Sequence, residues 1–166
     1  MTQKEDLKSL EKKLKAKLTE LHALHKKGAS LAQTLMIYPE ELEATYALGL
    51  QMLSAKKNKE AAQLLSGLCL MEPYDGRFWR VLGLALQKIE RPALALAAFE
   101  MALVLIPDDI PTLAYRGETF ILLGRRAEAR VDLERVVAKA KPNAEDAPFV
   151  QRAKGLMPYA QANATR

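Results

Sequence analysis

The sequence predicts an all-α solenoid: three antiparallel helix pairs stacked in a row, with a capping helix at each end. Three observations predict it. Leu and Ala dominate the 166 residues, apolar residues make up 49%, and only 8 Gly and 8 Pro interrupt the helix formers. Gly49, Gly83 and Gly117 are 34 residues apart, as are Ala61, Ala95 and Ala129, and Leu65, Phe99 and Leu133. Pro73 and Pro107 share that spacing and Pro142 follows with one extra residue, so a helix stop recurs at the end of each unit.

The first element is a helix over residues 4–27, with Leu7, Leu10, Leu14, Leu18, Leu21 and Leu24 on one stripe. Gly28 ends it, and Lys26 and Lys27 occupy the last turn, where the helix dipole favours cations. An apolar stretch, 31–38, leads to Pro39, which opens a helix into the first unit. In the second unit Phe78–Ile89 is the first helix, with Trp79, Leu82, Gly83 and Leu86 on one stripe. Glu90-Arg91-Pro92 makes the turn, and Ala93–Ile106 is the second helix, with Ala95, Phe99 and Ala102 at i, i+4 and i+7. Gly83 and Ala95 let the backbones approach, while Trp79 and Phe99 fill the space beside them. Pro107 stops the second helix. The last element, Pro148–Leu156, clusters Phe149, Val150, Ala153 and Leu156 and is expected to cover the open face of the third unit. The chain thus divides into an N-terminal helical region (1–41), three units (42–75, 76–109 and 110–142) and a C-terminal helix with its tail (143–166).

These columns resemble the tetratricopeptide repeat. The second unit carries nearly the whole pattern in Trp79, Leu82, Gly83, Ala95, Phe99, Ala102 and Pro107. The first keeps Leu48, Gly49, Ala61 and Pro73, with Thr45 where a large aromatic would stand. The third keeps Gly117, Gly124 and Ala129, with Arg116 at a usual Leu position. A unit of this kind cannot bury its own apolar face, so both ends need covering. The Leu7–Leu24 stripe either folds back on the solenoid or pairs with a second chain. Pairing is the expectation, because the rest of the chain already has its caps.

Net charge is +5, and residues 1–27 carry eight Lys against four acids. That segment has almost no Arg and no interleaved aromatics, so a solvated helix face is expected and nucleic acid is not. The start lacks an apolar core of the secretory type. The apolar stretches 93–99 and 101–106 are split by Glu100 and too short to span a bilayer. A cytoplasmic location follows as an expectation, and the single Cys agrees with it.

Chemistry-bearing constellations are sparse. His22 and His25 are three apart on the first helix, but Glu20 alone does not complete a metal site. Cys69, between Leu68 and Leu70, reads as a small core residue. There is no phosphate-binding glycine loop. Asn163-Ala-Thr165 fits a glycosylation pattern that a cytosolic chain would not use. An enzyme is not expected, nor a metal or cofactor.

What remains is the concave face lined by the first helix of each unit. Its inward positions are Tyr46, Leu50 and Leu53; then Arg80, Leu84 and Gln87; then Ala114 or Tyr115, followed by Glu118 and Ile121. Apolar pockets with a few hydrogen-bonding groups suit an extended peptide rather than a carboxylate clamp. The competing reading places Leu50, Leu53 and Leu84 in the solenoid core.

A narrower resemblance lies at the junction of the first two units. The run Leu64-Leu65-Ser66-Gly67-Leu68-Cys69-Leu70-Met71-Glu72-Pro73-Tyr74-Asp75-Gly76-Arg77-Phe78-Trp79, followed by Leu82-Gly83-Leu84-Ala85, resembles the class II chaperones of bacterial type III secretion, which serve translocator proteins. The stretch Gly28–Leu35 and Glu118 also match. The resemblance implies a virulence-associated cytoplasmic chaperone that binds an extended segment of a hydrophobic translocator in the concave groove and keeps it soluble for export. It implies a homodimer through the N-terminal helix, with a transcriptional regulator as a further candidate partner. The family's groove is often richer in aromatics than Leu50 and Leu53 make this one. The alternatives are a general repeat scaffold that docks a folded partner or regulator, and a nucleic-acid-associated protein using the basic helix.

Overall fold

The computed structural model describes residues 26–161 together with Ala16, Thr19, Ala23 and Leu24. Of the first helix, Ala16, Thr19, Ala23, Leu24 and Lys26 are helical. Leu24 O accepts from Lys27 N at 3.0 Å and Ala29 N at 3.2 Å, and Gly28 takes φ +83°, so the helix ends at the expected glycine. Leu7, Leu10, Leu14, Leu18 and Leu21 lie outside the described residues, as do His22, His25 and Asn163.

Eight helices and no strand follow among the described residues: α1 (Leu31–Thr34), α2 (Pro39–Ser54), α3 (Asn58–Met71), α4 (Gly76–Lys88), α5 (Pro92–Leu105), α6 (Ile110–Leu122), α7 (Arg126–Lys139) and α8 (Ala147–Gln161). Each helix from α2 onward packs on the next, so α2·α3, α4·α5 and α6·α7 are antiparallel pairs. The first helices also touch along the stack, α2 to α4, α4 to α6 and α6 to α8, and form one inner layer. Helices α3, α5 and α7 form the outer layer. The result is a solenoid of the tetratricopeptide type.

The glycine and large-apolar columns prove to be one device. A Cβ on Gly83 would lie 2.5 Å from Phe99 Cε1, one on Gly49 2.8 Å from Leu65 Cδ2, and one on Gly117 2.9 Å from Leu133 Cδ2. In every unit a fully buried Phe or Leu of the second helix drops into the notch left by the glycine of the first.

The turns repeat with the same period. Lys56, Glu90 and Gly124, each 34 residues from the next, sit in left-handed conformation at φ 60°, 60° and 73°. The residue after each donates its amide back across the turn: Lys57 N to Met52 O, Arg91 N to Leu86 O and Arg125 N to Phe120 O, at 2.8–3.0 Å. These Schellman closures satisfy carbonyls at the end of the first helix and reverse the chain in two residues. The next helix pair starts at an aspartate cap. Asp75 accepts from Arg77 N at 2.9 Å and Asp109 from Thr112 N at 3.1 Å.

Several boundaries differ from expectation. Asp75 starts α4 at Gly76 rather than Phe78, and α5 takes Pro92 as its first residue rather than starting at Ala93. The apolar 31–38 stretch contains a helical turn, α1, closed by a box in which Ser30 N donates to Gln33 Oε1 at 3.0 Å and Gln33 N to Ser30 Oγ at 3.2 Å. The last helix begins at Ala147 and runs past Leu156 through Pro158 to Gln161. Pro158 stands close to its C-terminal end, where losing one amide donor costs least. Arg116, out of place in the repeat pattern, binds the almost fully buried Asp132 of α7 through two parallel bonds of 2.7 Å.

A candidate peptide-binding groove on the inner layer

Helices α2, α4, α6 and α8 turn one face of each toward the hollow side of the stack. Tyr46 is half-buried on α2, its ring centroid 5.3 Å from that of Phe78 on α4. The Arg77 guanidinium lies 5.6 Å from both ring centroids and reaches Glu43 Oε1 at 2.5 Å and Asp75 Oδ2 at 2.6 Å. These hydrogen bonds, to Asp75 and then Glu43, raise the Arg77 pKa above its ordinary value. Leu50, one turn on from Tyr46, is 40% exposed. Leu53 belongs instead to the core, buried with Ala61 and Leu65 between α2 and α3. For that residue the core reading holds: its position on α2 faces the second helix of its own unit, and it offers no surface to a ligand.

On α4, Leu84 and Gln87 are half-buried. Arg80 is half-buried too, and its Nη1 donates to Asp109 at the start of α6 at 2.9 Å. Burial works against that charge, but the Asp109 carboxylate outweighs it and the Arg80 pKa is raised. Arg80 also borders a cleft of about 580 Å³ walled by Ile106–Pro111, Lys139, Asp146 and Phe149. It is the only one of the expected groove residues that does.

On α6, Tyr115 stacks on Phe99 at 6.2 Å and meets Phe149 of α8 edge-on at 5.8 Å. Arg152 of α8 lies 5.4 Å from the Tyr115 centroid and donates to Glu118 Oε2 at 2.5 Å. Ile121 is half-buried against the second core cluster, whereas Ala114, the other reading of its position, is fully buried. Leu24, the described member of the N-terminal stripe, is half-buried.

Two features of this face were not anticipated: the arginine–acid–aromatic rungs at Arg77 and at Arg152. Their signal was available, since Glu43 and Arg77, Glu118 and Arg152, and Tyr115 and Phe149 are each separated by one repeat of 34 residues. Cys69, by contrast, is a core residue as read. It is 2% exposed, and burial, then the Asp75 charge, pushes its thiol up to about 12. Among the described residues no group of His, Cys, Asp and Glu could hold a metal ion, and no helix is long and apolar enough to cross a membrane.

A stack of helix pairs with an aromatic- and arginine-lined inner face defines a solenoid of the tetratricopeptide class. The family model for the bacterial transcriptional activator domain matches residues 15–112, and the chain belongs to that family. No curated protein sequence matches it. The solved structures it resembles include type III secretion chaperones and a tetratricopeptide domain of Spaghetti bound to an HSP90 peptide. A type III secretion complex from Aeromonas hydrophila superposes with a TM-score of 0.76 at 24% identity, covering 86% of this chain and 95% of the other. The Yersinia enterocolitica translocator chaperone SycD gives 0.71 at 22% identity, covering 78% and 97%. PcrH, known from Pseudomonas aeruginosa, gives 0.70 at 22% in its complex with the chaperone-binding region of PopD, covering 75% and 93%. At these identities the likeness is one of fold, over nearly the full length of each neighbour.

Proposed function

We propose that this protein is a cytoplasmic chaperone of a bacterial type III secretion system. It binds a hydrophobic translocator through an extended segment laid along the inner layer and keeps it soluble until export. One observation carries the reading. Neighbours that share the fold include the translocator chaperone SycD, which holds a peptide of the translocator YopD, and PcrH, which holds the chaperone-binding region of PopD. The junction over Leu64–Trp79 points the same way from the sequence alone.

On this reading the contact surface is Tyr46, Leu50, Arg80, Leu84, Gln87, Tyr115, Glu118 and Ile121, without Leu53. Half-buried side chains suit peptide binding because the core holds them in place while one face stays open to the ligand. The repeats are assigned to 42–75, 76–109 and 110–142, and the Leu7–Leu24 stripe to a homodimer, a form of assembly also seen in SycD. Family membership favours a second reading, in which the same groove docks a component of transcription control.

Co-expression separates the two. A hydrophobic type III translocator from the same organism should become soluble as a one-to-one complex, and a Tyr46→Ala/Leu50→Ala double variant should lose it while keeping native helicity. A translocator that stays insoluble with the wild-type chain would sink the chaperone reading.

A further inference from the structure

Arg80 stands on α4, in the middle of the inner layer, with its side chain 22% exposed. Its Nη1 donates to both carboxylate oxygens of Asp109, at 2.9 and 3.1 Å. That carboxylate is 13% exposed and also caps α6, accepting from Thr112 N and from the Thr112 hydroxyl. Burial opposes the charge of Arg80, and beyond Asp109 the group that offsets it is the hydroxyl of Tyr46, on α2. One side chain thus links the first helices of all three units. The sequence shows why it reaches so far. Asp75, the matching cap one unit earlier, is held by Arg77 of its own helix at 2.6 Å. One period on from Arg77 stands Pro111, so α6 has no arginine there for its own cap, and the bond comes from the preceding unit.

We propose that Arg80 is a positioning residue of the groove, a strut that fixes the Tyr46 ring relative to the start of α6, and not a cation held open for the ligand. An incoming carboxylate would have to take Arg80 from Asp109 and leave that part-buried acid without its cation. A ring held in place before binding loses less freedom when a ligand covers it, so the strut raises affinity without a contact of its own. Its effect on affinity rests on the groove reading above; the coupling of Asp109 to Tyr46 is a property of the free chain.

The test is fluorine NMR of the full chain labelled with 3-fluorotyrosine, with the Tyr46 signal assigned by Tyr46→Phe. Asp109→Asn keeps a capping side chain on α6 and removes the carboxylate. It should move the Tyr46 signal although the two residues belong to different units, and in an Arg80→Met background it should move it no further. Glu134→Gln, which breaks the outer-layer ion pair with Arg130, should leave that signal alone. A Tyr46 signal indifferent to Asp109→Asn, or shifted equally with and without Arg80, would overturn the proposal. Affinity is the second readout, with a peptide from the amino-terminal part of a hydrophobic type III translocator of the same organism as the probe. Arg80→Met and Asp109→Asn should each weaken it at least about fivefold, and the double variant no more than either alone. Losses that add, or a loss confined to Arg80→Met, would make Arg80 a direct contact and overturn the proposal. If the wild-type chain does not bind that peptide, the chaperone reading falls, and the fluorine shifts decide the role of Arg80.

Discussion

The second and third helix pairs have the same backbone and hold it together by different means. In the second, the Gly83 notch receives an aromatic ring, and α5 is apolar on nearly every side with Glu100 as its one charge. In the third, the matching notch receives the more pliable Leu133. Beside it, one residue back on each helix, Arg116 and Asp132 form an ion pair in which Asp132 is 3% exposed at its side chain. The periodic small residues set how closely two helices approach. The bonding beside them is free to be apolar or ionic, provided that a buried charge has its partner.

The largest effect should come from breaking the ionic solution. Arg116→Leu restores the residue usual for the repeat yet leaves Asp132 buried and unpaired, and should destabilise the chain by about 3–5 kcal/mol in urea unfolding. Arg116→Leu/Asp132→Leu should recover most of that loss. A single variant no less stable than wild type would mean that Asp132 reaches water.

Next comes the notch itself. Gly83→Ala should cost about 1–3 kcal/mol and Gly117→Ala less, since a ring cannot yield as a leucine side chain can. Thermal melts of the two variants would settle the order, and equal losses would count against the notch account.

A smaller effect concerns pH. Burial raises the Cys69 thiol to about 12, so the folded state keeps its proton where the unfolded chain, with an ordinary thiol, has lost it. The contribution is complete below the unfolded value and should fade as pH rises from about 9 toward 12. Cys69→Ala should flatten the alkaline part of the stability curve relative to wild type. The same burial predicts that thiol reagents modify Cys69 only after unfolding.

The smallest effect distinguishes the turns. Glu90 holds a left-handed conformation that Gly124 holds without strain in the third unit, so Glu90→Gly should stabilise by up to about 1 kcal/mol. Gly124→Ala should do the reverse.

Much of this architecture was legible because a solenoid writes its geometry periodically. The Gly83–Phe99 contact is visible as two columns before any coordinates exist, and so is the reversal at Glu90-Arg91-Pro92. Helix ends were read less well where a polar side chain decides them, as Asp75 does for α4 and Ser30 for α1. The groove was legible only as a face. Position along α2 puts both Leu50 and Leu53 near the inward side, and the roughly 60° by which three residues fall short of a full turn decides that Leu53 is core. The Arg77 and Arg152 rungs escaped notice because their partners lie a full repeat away, and charge pairs are sought over shorter distances.

The central claim is that the inner layer receives an extended segment of a hydrophobic protein. The most direct measurement is calorimetric titration of the full chain with a peptide from the amino-terminal part of a hydrophobic type III translocator from the same organism. The account predicts saturable one-to-one binding that Tyr46→Ala/Leu50→Ala weakens by at least about tenfold, with the circular dichroism spectrum unchanged. Binding that the double variant leaves intact, or no binding at all, would contradict it.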